Sequence, residues 1–123
     1  MRIFKNKWFQ RWARKENVSD DVLVEVTKEM DAGKVEADLG GFLFKKRLVK
    51  PGSGKSGGYR VLVGYKKGSR TVFLYAFAKN QKSNISDEEK TVLKVLAKEF
   101  LAATPKGIKK LKEQGSLWEV KDE

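Results

Sequence analysis

The chain has 123 residues, 40% of them hydrophobic, and a formal charge of +11; that composition suits a folded unit of one-domain size with a modest core rather than a disordered tail. It contains no Cys and no His, which excludes disulfides, thiolate ligands and imidazole as a general base or metal ligand. No apolar run nears the roughly 18 residues of a membrane span, and residues 1–14 mix cations with aromatics instead of forming a signal peptide, so a cytoplasmic protein with no membrane partner, metal or cofactor is expected.

Residues 4–16 read as a helix, because Phe4, Trp8, Phe9 and Trp12 repeat with helical spacing. Ser19 suits the N-cap of a second helix, with Asp20 and Asp21 in its first turn. Val22, Leu23, Val26 and Met30 form its apolar face, and Gly33 suits a left-handed C-terminal position. Gly40 and Gly41 break the pattern before a strand over 42–49. Residues 50–58, K-P-G-S-G-K-S-G-G, form a loop. A second strand over 59–65 and a third over 71–78 are joined by a short turn, so they form an antiparallel hairpin. The third strand is almost wholly apolar, which suits a central position.

Ser86 and Glu89 have the spacing of a capping box that opens a third helix, with Val92, Leu93, Leu96 and Phe100 expected toward the core. After Pro105, residues 106–114 suit a short basic helix and 117–120 a short strand. The predicted fold class is α+β: two N-terminal helices packed on a small twisted antiparallel sheet, followed by a C-terminal helix. The whole chain, 1–123, is read as one domain, with a core over 1–101 and a C-terminal appendage over 102–123.

The charge is segregated. Between Gly41 and Lys82 lie 11 Lys or Arg and no Asp or Glu, whereas the rest of the chain is neutral. A cation-only centre in a neutral frame is the footprint of a polyanion binder, with nucleic acid favoured over an acidic protein or an anionic lipid surface. Lys45 and Arg47 lie two apart and so share one face of a strand; Arg60 reaches that face if it pairs opposite, and Lys79 ends the third strand. Like charges on neighbouring strands destabilise a sheet unless an anion is to be received.

The segment 54–56, G-K-S, lacks the Walker A glycine five residues upstream, where Val49 stands. The loop can still bring backbone amides and Lys55 to a phosphate, or merely connect two strands. Of the tyrosines, Tyr65 and Tyr75 read as sheet packing. Tyr59, beside the glycine loop, is the candidate for stacking on an unpaired base.

The run 44–62, F-K-K-R-L-V-K-P-G-S-G-K-S-G-G-Y-R-V-L, and the later F-A-K-N over 77–80 resemble toxins of the RelE/ParE superfamily, RelE-type, nearest the HigB-like branch. The resemblance is strongest over 40–101 and extends loosely to the two N-terminal helices. It implies the toxin of a type II toxin–antitoxin system that enters the ribosomal A site and cleaves mRNA without a metal. It also implies an antitoxin partner, which alone would contact operator DNA. By motif, the catalytic candidates are Lys45, Arg47, Arg60 and Lys79, and the RNA-contact candidates are Lys46, Lys50, Lys55, Tyr59, Asn80 and Lys82. The chain departs from RelE at Asn80, where RelE has an arginine, and over 85–86, where it lacks a late tyrosine.

The chemistry expected is attack by a 2′-hydroxyl on its own phosphate, with Arg47 and Arg60 stabilising charge. A lysine crowded by cations, Lys45 or Lys79, would take the proton. A non-catalytic nucleic-acid-binding module and a ParE-like gyrase inhibitor are the alternative functions on the same fold.

Overall fold

The computed structural model describes residues 1–49 and 58–121. Its elements are β1 (Arg2–Asn6), α1 (Lys7–Lys15), α2 (Asp20–Asp31), β2 (Ala37–Asp38), β3 (Leu43–Leu48), β4 (Tyr59–Lys66), β5 (Arg70–Ala78), α3 (Asp87–Ala102), α4 (Pro105–Glu113) and β6 (Leu117–Val120). The six strands form one mixed sheet in the order β2-β3-β4-β5-β1-β6, with β1 parallel to β5. The fold is therefore α+β, but its sheet is larger than the three antiparallel strands expected.

The first helix is the main correction. Arg2–Asn6 is a strand, and only from Lys7 does the chain turn helical. Phe4 does not join the α1 face. It is fully buried on the opposite side of the sheet from Ile3, as strand alternation requires. Asn6 ends β1 and starts α1. Its side-chain oxygen accepts from Phe9 N–H at 2.8 Å, and its amide donates to the Leu74 carbonyl at 3.1 Å.

Both faces of the sheet are covered. On one, Phe9, Leu23, Val26 and Met30 of α1 and α2 pack with Val61, Val63 and Phe73. On the other, Leu93 and Ala97 of α3 and Ile108 of α4 pack with Leu43, Leu62 and Val72. Helix α3 approaches β4 closely because Gly64 has no side chain: a Cβ there would lie 3.2 Å from that of Ala97. The expected capping box of Ser86 and Glu89 is present. Val92, expected in the core, is instead 58% exposed, and Ala97 takes the buried position. The C-terminal stretch is integral to the sheet, since β6 pairs with β1 and buries Leu117.

The β4–β5 ladder carries one irregularity. Leu62 pairs with Tyr75 but Val63 with Phe73, so Leu74 is an extra residue in β5. Such a bulge re-aims the side chains beyond it. Leu74 and Tyr75 consequently both face α3, and Phe77 comes after them on that side.

Asn6→Ala removes a helix cap and orphans a buried carbonyl at once. It is expected to destabilise the protein by about 1–3 kcal/mol, read as a lowered urea midpoint with unchanged slope.

Candidate nucleic-acid interface

On β3, Leu43, Lys45 and Arg47 share a face, and Phe44, Lys46 and Leu48 take the other. The register puts Arg47 opposite Arg60, and Arg60 opposite Phe77. The expected juxtaposition of Lys45, Arg47 and Arg60 on one face is therefore present. Along β4 it lies toward the Tyr59 end, away from Gly64, where Ala97 of α3 approaches closely.

The cluster is not made of cations alone. Arg60, with 10% of its side chain exposed, donates from Nε to Glu36 Oε1 at 2.9 Å. The Lys45 ammonium lies 3.9 Å from Glu36 Oε2 and donates to Asn84 Oδ1 at 3.4 Å. Glu36, just before β2, thus holds the two basic side chains together. Its only sequence signal was its place, with Asp38, among the last acids before the cation-only segment. The neutral frame supplies counter-charges elsewhere too. Lys46 projects to the opposite face and pairs with Glu29 of α2 at 2.9 Å, and Lys82 pairs with Glu89 of α3 at 2.6 Å. Arg47 is exposed.

Of the two tyrosine expectations, the one for Tyr59 is corrected, and Tyr75 packs as expected. Tyr59 is 3% exposed, sits edge-on to Trp12 and donates its hydroxyl to Glu16 at 2.7 Å. Its ring is not available to stack on a base. Tyr75, read from sequence as packing, is partly exposed on the face of Lys45, with its ring against Trp8 and the Lys82 ammonium 3.5 Å from its hydroxyl. The bulge at Leu74 moves Tyr75 to this face, which simple alternation from Phe73 denies it. Lys79 and Asn80 are exposed just past β5. Lys50 and Lys55 lie outside the described residues.

Burial and ion pairing displace several titrating groups, among them two tyrosines and Glu89. Burial and then the Glu16 hydrogen bond push the Tyr59 hydroxyl up to about 12, and burial and then Asp31 do the same for Tyr65. The Lys82 hydrogen bond, and after it the Ser86 backbone N–H, bring Glu89 down to about 2.

A family model described as "RelE toxin of RelE / RelB toxin-antitoxin system" matches residues 1–120. Comparison with curated proteins gives no match. Among the described residues no helix is long and apolar enough to cross a membrane.

The tyrosine displacements set an alkaline limit. The folded state holds the two phenolic protons more tightly than an unfolded chain, so their contribution is intact below about pH 10 and is lost as pH rises toward about 12. Tyr59→Phe with Tyr65→Phe is expected to flatten stability over that window, as measured by denaturant melts at stepped pH.

Proposed function

The chain belongs to the RelE toxin family, the toxin side of RelE/RelB toxin–antitoxin systems, and from that premise we propose that it is an endoribonuclease that cuts mRNA in the ribosomal A site. The observation that carries this reading is Arg60. It is buried, bound to Glu36, and in register with Arg47 on the face that also bears Lys45. The two guanidinium groups offer planar donor forks that suit phosphate oxygens.

In the proposed cut, the 2′-hydroxyl oxygen attacks the adjacent phosphorus and the bond to the 5′-oxygen breaks. The products are a 2′,3′-cyclic phosphate and a 5′-hydroxyl. Negative charge grows on the phosphate oxygens during attack, where Arg47 and Arg60 stabilise it. The 2′-hydroxyl proton passes to the neutral form of Lys45 or Lys79, and a solvent water protonates the departing 5′-oxygen. The Glu36 carboxylate offsets part of the positive charge around Lys45, so the crowding of cations there is milder than the sequence alone implies. The ribosome contributes by holding the mRNA in line for attack.

Lys79, Asn80 and Lys82 form the RNA-contact set beside this cluster, with Lys50 and Lys55 retained on their place in the cationic segment. Lys46 and Tyr59 leave it, since their side chains serve the α2 and α1 side of the sheet. An antitoxin partner follows from the family. The basic face suits an acidic segment of that partner, and contact with operator DNA passes through the antitoxin. The G-K-S-G-G-Y-R and F-A-K-N runs favour the HigB-like branch.

Arg60→Ala and Arg47→Ala, expressed at the level of the parent chain, are expected to lose growth inhibition. Cleavage should fall on the order of a hundredfold or more, read by mapping mRNA 5′ ends with translation running or blocked. Full inhibition by either variant rejects this site. Salt-sensitive RNA binding with no new 5′ ends would favour a non-catalytic module, and DNA damage a gyrase inhibitor.

A further inference from the structure

Helix α3 carries Lys90, Lys94 and Lys98 one turn apart, so all three line one side of it. That side faces the β2–β3 turn. The Lys94 chain lies over Gly40 and Gly41, where a Cβ on Gly40 would come within 3.3 Å of its Nζ. The start of α3 adjoins Lys45, which donates to Asn84 just before the Ser86 cap. Its end adjoins Arg70, which donates to the Phe100 and Ala103 carbonyls and pairs across the ladder with Lys66. The lysine row therefore leads away from the Lys45–Arg47–Arg60 face toward Lys66. Among the described residues, none of Lys66, Lys90, Lys94 and Lys98 forms an ion pair.

At the far end of the row stands Phe42. Its ring is 52% exposed, with the Lys66 ammonium 5.7 Å from the centroid. Its φ of 64° is one that an aromatic residue seldom adopts and glycine takes readily. The backbone has no need of the ring: the Phe42 carbonyl accepts from Tyr65 N–H at 2.9 Å, a bond that any residue there could make. A strained backbone kept under an exposed aromatic side chain points to a use for that side chain.

We infer that this ridge is a second RNA surface. A single strand continuing from the cleaving face lays its phosphates along Lys90, Lys94 and Lys98 and stacks one unpaired base on Phe42. The inference takes its ligand from the RNA-cutting reading, but no ridge residue belongs to the cleaving set. Lys90 to Lys98 spans roughly 12 Å at the helical rise, and Arg47 to Phe42 roughly 16 Å along β3, so a strand of a few nucleotides reaches from one end to the other. Stacking on an aromatic ring tolerates any base, so the ridge adds affinity without sequence preference. An acidic peptide fits this side less well. Docked peptides use an open strand edge or an apolar groove. Here β2 already occupies the β3 edge at Phe44 and Lys45, and the Leu39 N–H donates to the Leu43 carbonyl.

The test is binding of the full chain, without ribosomes, to 2′-O-methyl RNAs of about four and about twelve nucleotides, followed by fluorescence anisotropy at stepped salt. The longer RNA is expected to bind roughly tenfold more tightly or better. Lys94→Gln with Lys98→Gln should remove most of that gain and make the log–log salt slope shallower by roughly 0.7 per lysine. Phe42→Gly should weaken binding of the longer RNA about five- to tenfold. Its unfolding midpoint should be unchanged or raised, because glycine relieves the left-handed backbone. A ring kept only for packing would instead lower the midpoint on removal and leave RNA binding alone, which overturns the ridge. If these effects appear but the chain cuts no mRNA on ribosomes, the nuclease reading fails and the ridge stands. If it cuts mRNA while the ridge variants bind both RNAs as the parent does, or lose only antitoxin binding, the ridge is overturned.

Discussion

A guanidinium withdrawn from water must be met by an anion or by several acceptors, or the fold that buries it is penalised. Arg60 is in that position: one-tenth of its side chain is exposed, and Glu36 binds its Nε. The same carboxylate reaches toward Lys45. The register also sets Arg47 opposite Arg60. Arg60 forms a hydrogen-bonded pair with Phe77 on one side, so its pairing with Arg47 on the other is the closer, non-hydrogen-bonded kind. Two like charges in that relation repel, and a carboxylate alongside makes the arrangement tolerable. Glu36 thus lets the sheet hold a basic cluster in one geometry before any phosphate arrives. A pre-oriented charge of this sort is the kind that stabilises a transition state without reorganising.

The same logic extends to the whole cationic segment. Residues 41–82 carry no acid of their own, yet several of their cations are paired in the fold. The carboxylates come from flanking elements: Glu29 from α2, Glu36 from the approach to β2, Glu89 from α3. Charge segregation in the chain therefore does two jobs. Some cations dock the neutral frame onto the sheet, and in the proposed reading the exposed Arg47 and Lys79 meet a polyanion. In that reading, an RNA substrate and an acidic segment of the antitoxin would compete for the same face.

Local signals made much of this legible in the sequence. Ser19, the Ser86–Glu89 box and Gly33 each act within one helical turn, and all three lie where the sequence placed them. Strand alternation correctly put Lys45 and Arg47 on one face, and the hairpin turn brought β4 and β5 together. What escaped depends on contacts distant in sequence. Arg2–Asn6 becomes a strand because β5, about 68 residues later, is there to pair with it in parallel; alone, its Phe4 extends the helical spacing of Trp8 and Trp12. Glu36 gains its role only when β2 pairs with β3. Tyr75 reaches the site through a bulge that no residue type announces, and Tyr59 is lost from it because Trp12 and Glu16 close over the ring.

The central claim is that Glu36 orients Arg60 for the phosphate, and it is tested most directly by single-turnover cleavage of mRNA on programmed ribosomes by Glu36→Gln, with the unfolding midpoint measured on the same protein. Glutamine can still accept the Arg60 hydrogen bond but lacks the charge that holds Lys45 and Arg60 together. The expected result is a cleavage rate lower by roughly ten- to a hundredfold, with ribosome affinity little changed and the fold intact. Cleavage at the parental rate by a folded Glu36→Gln protein would contradict it.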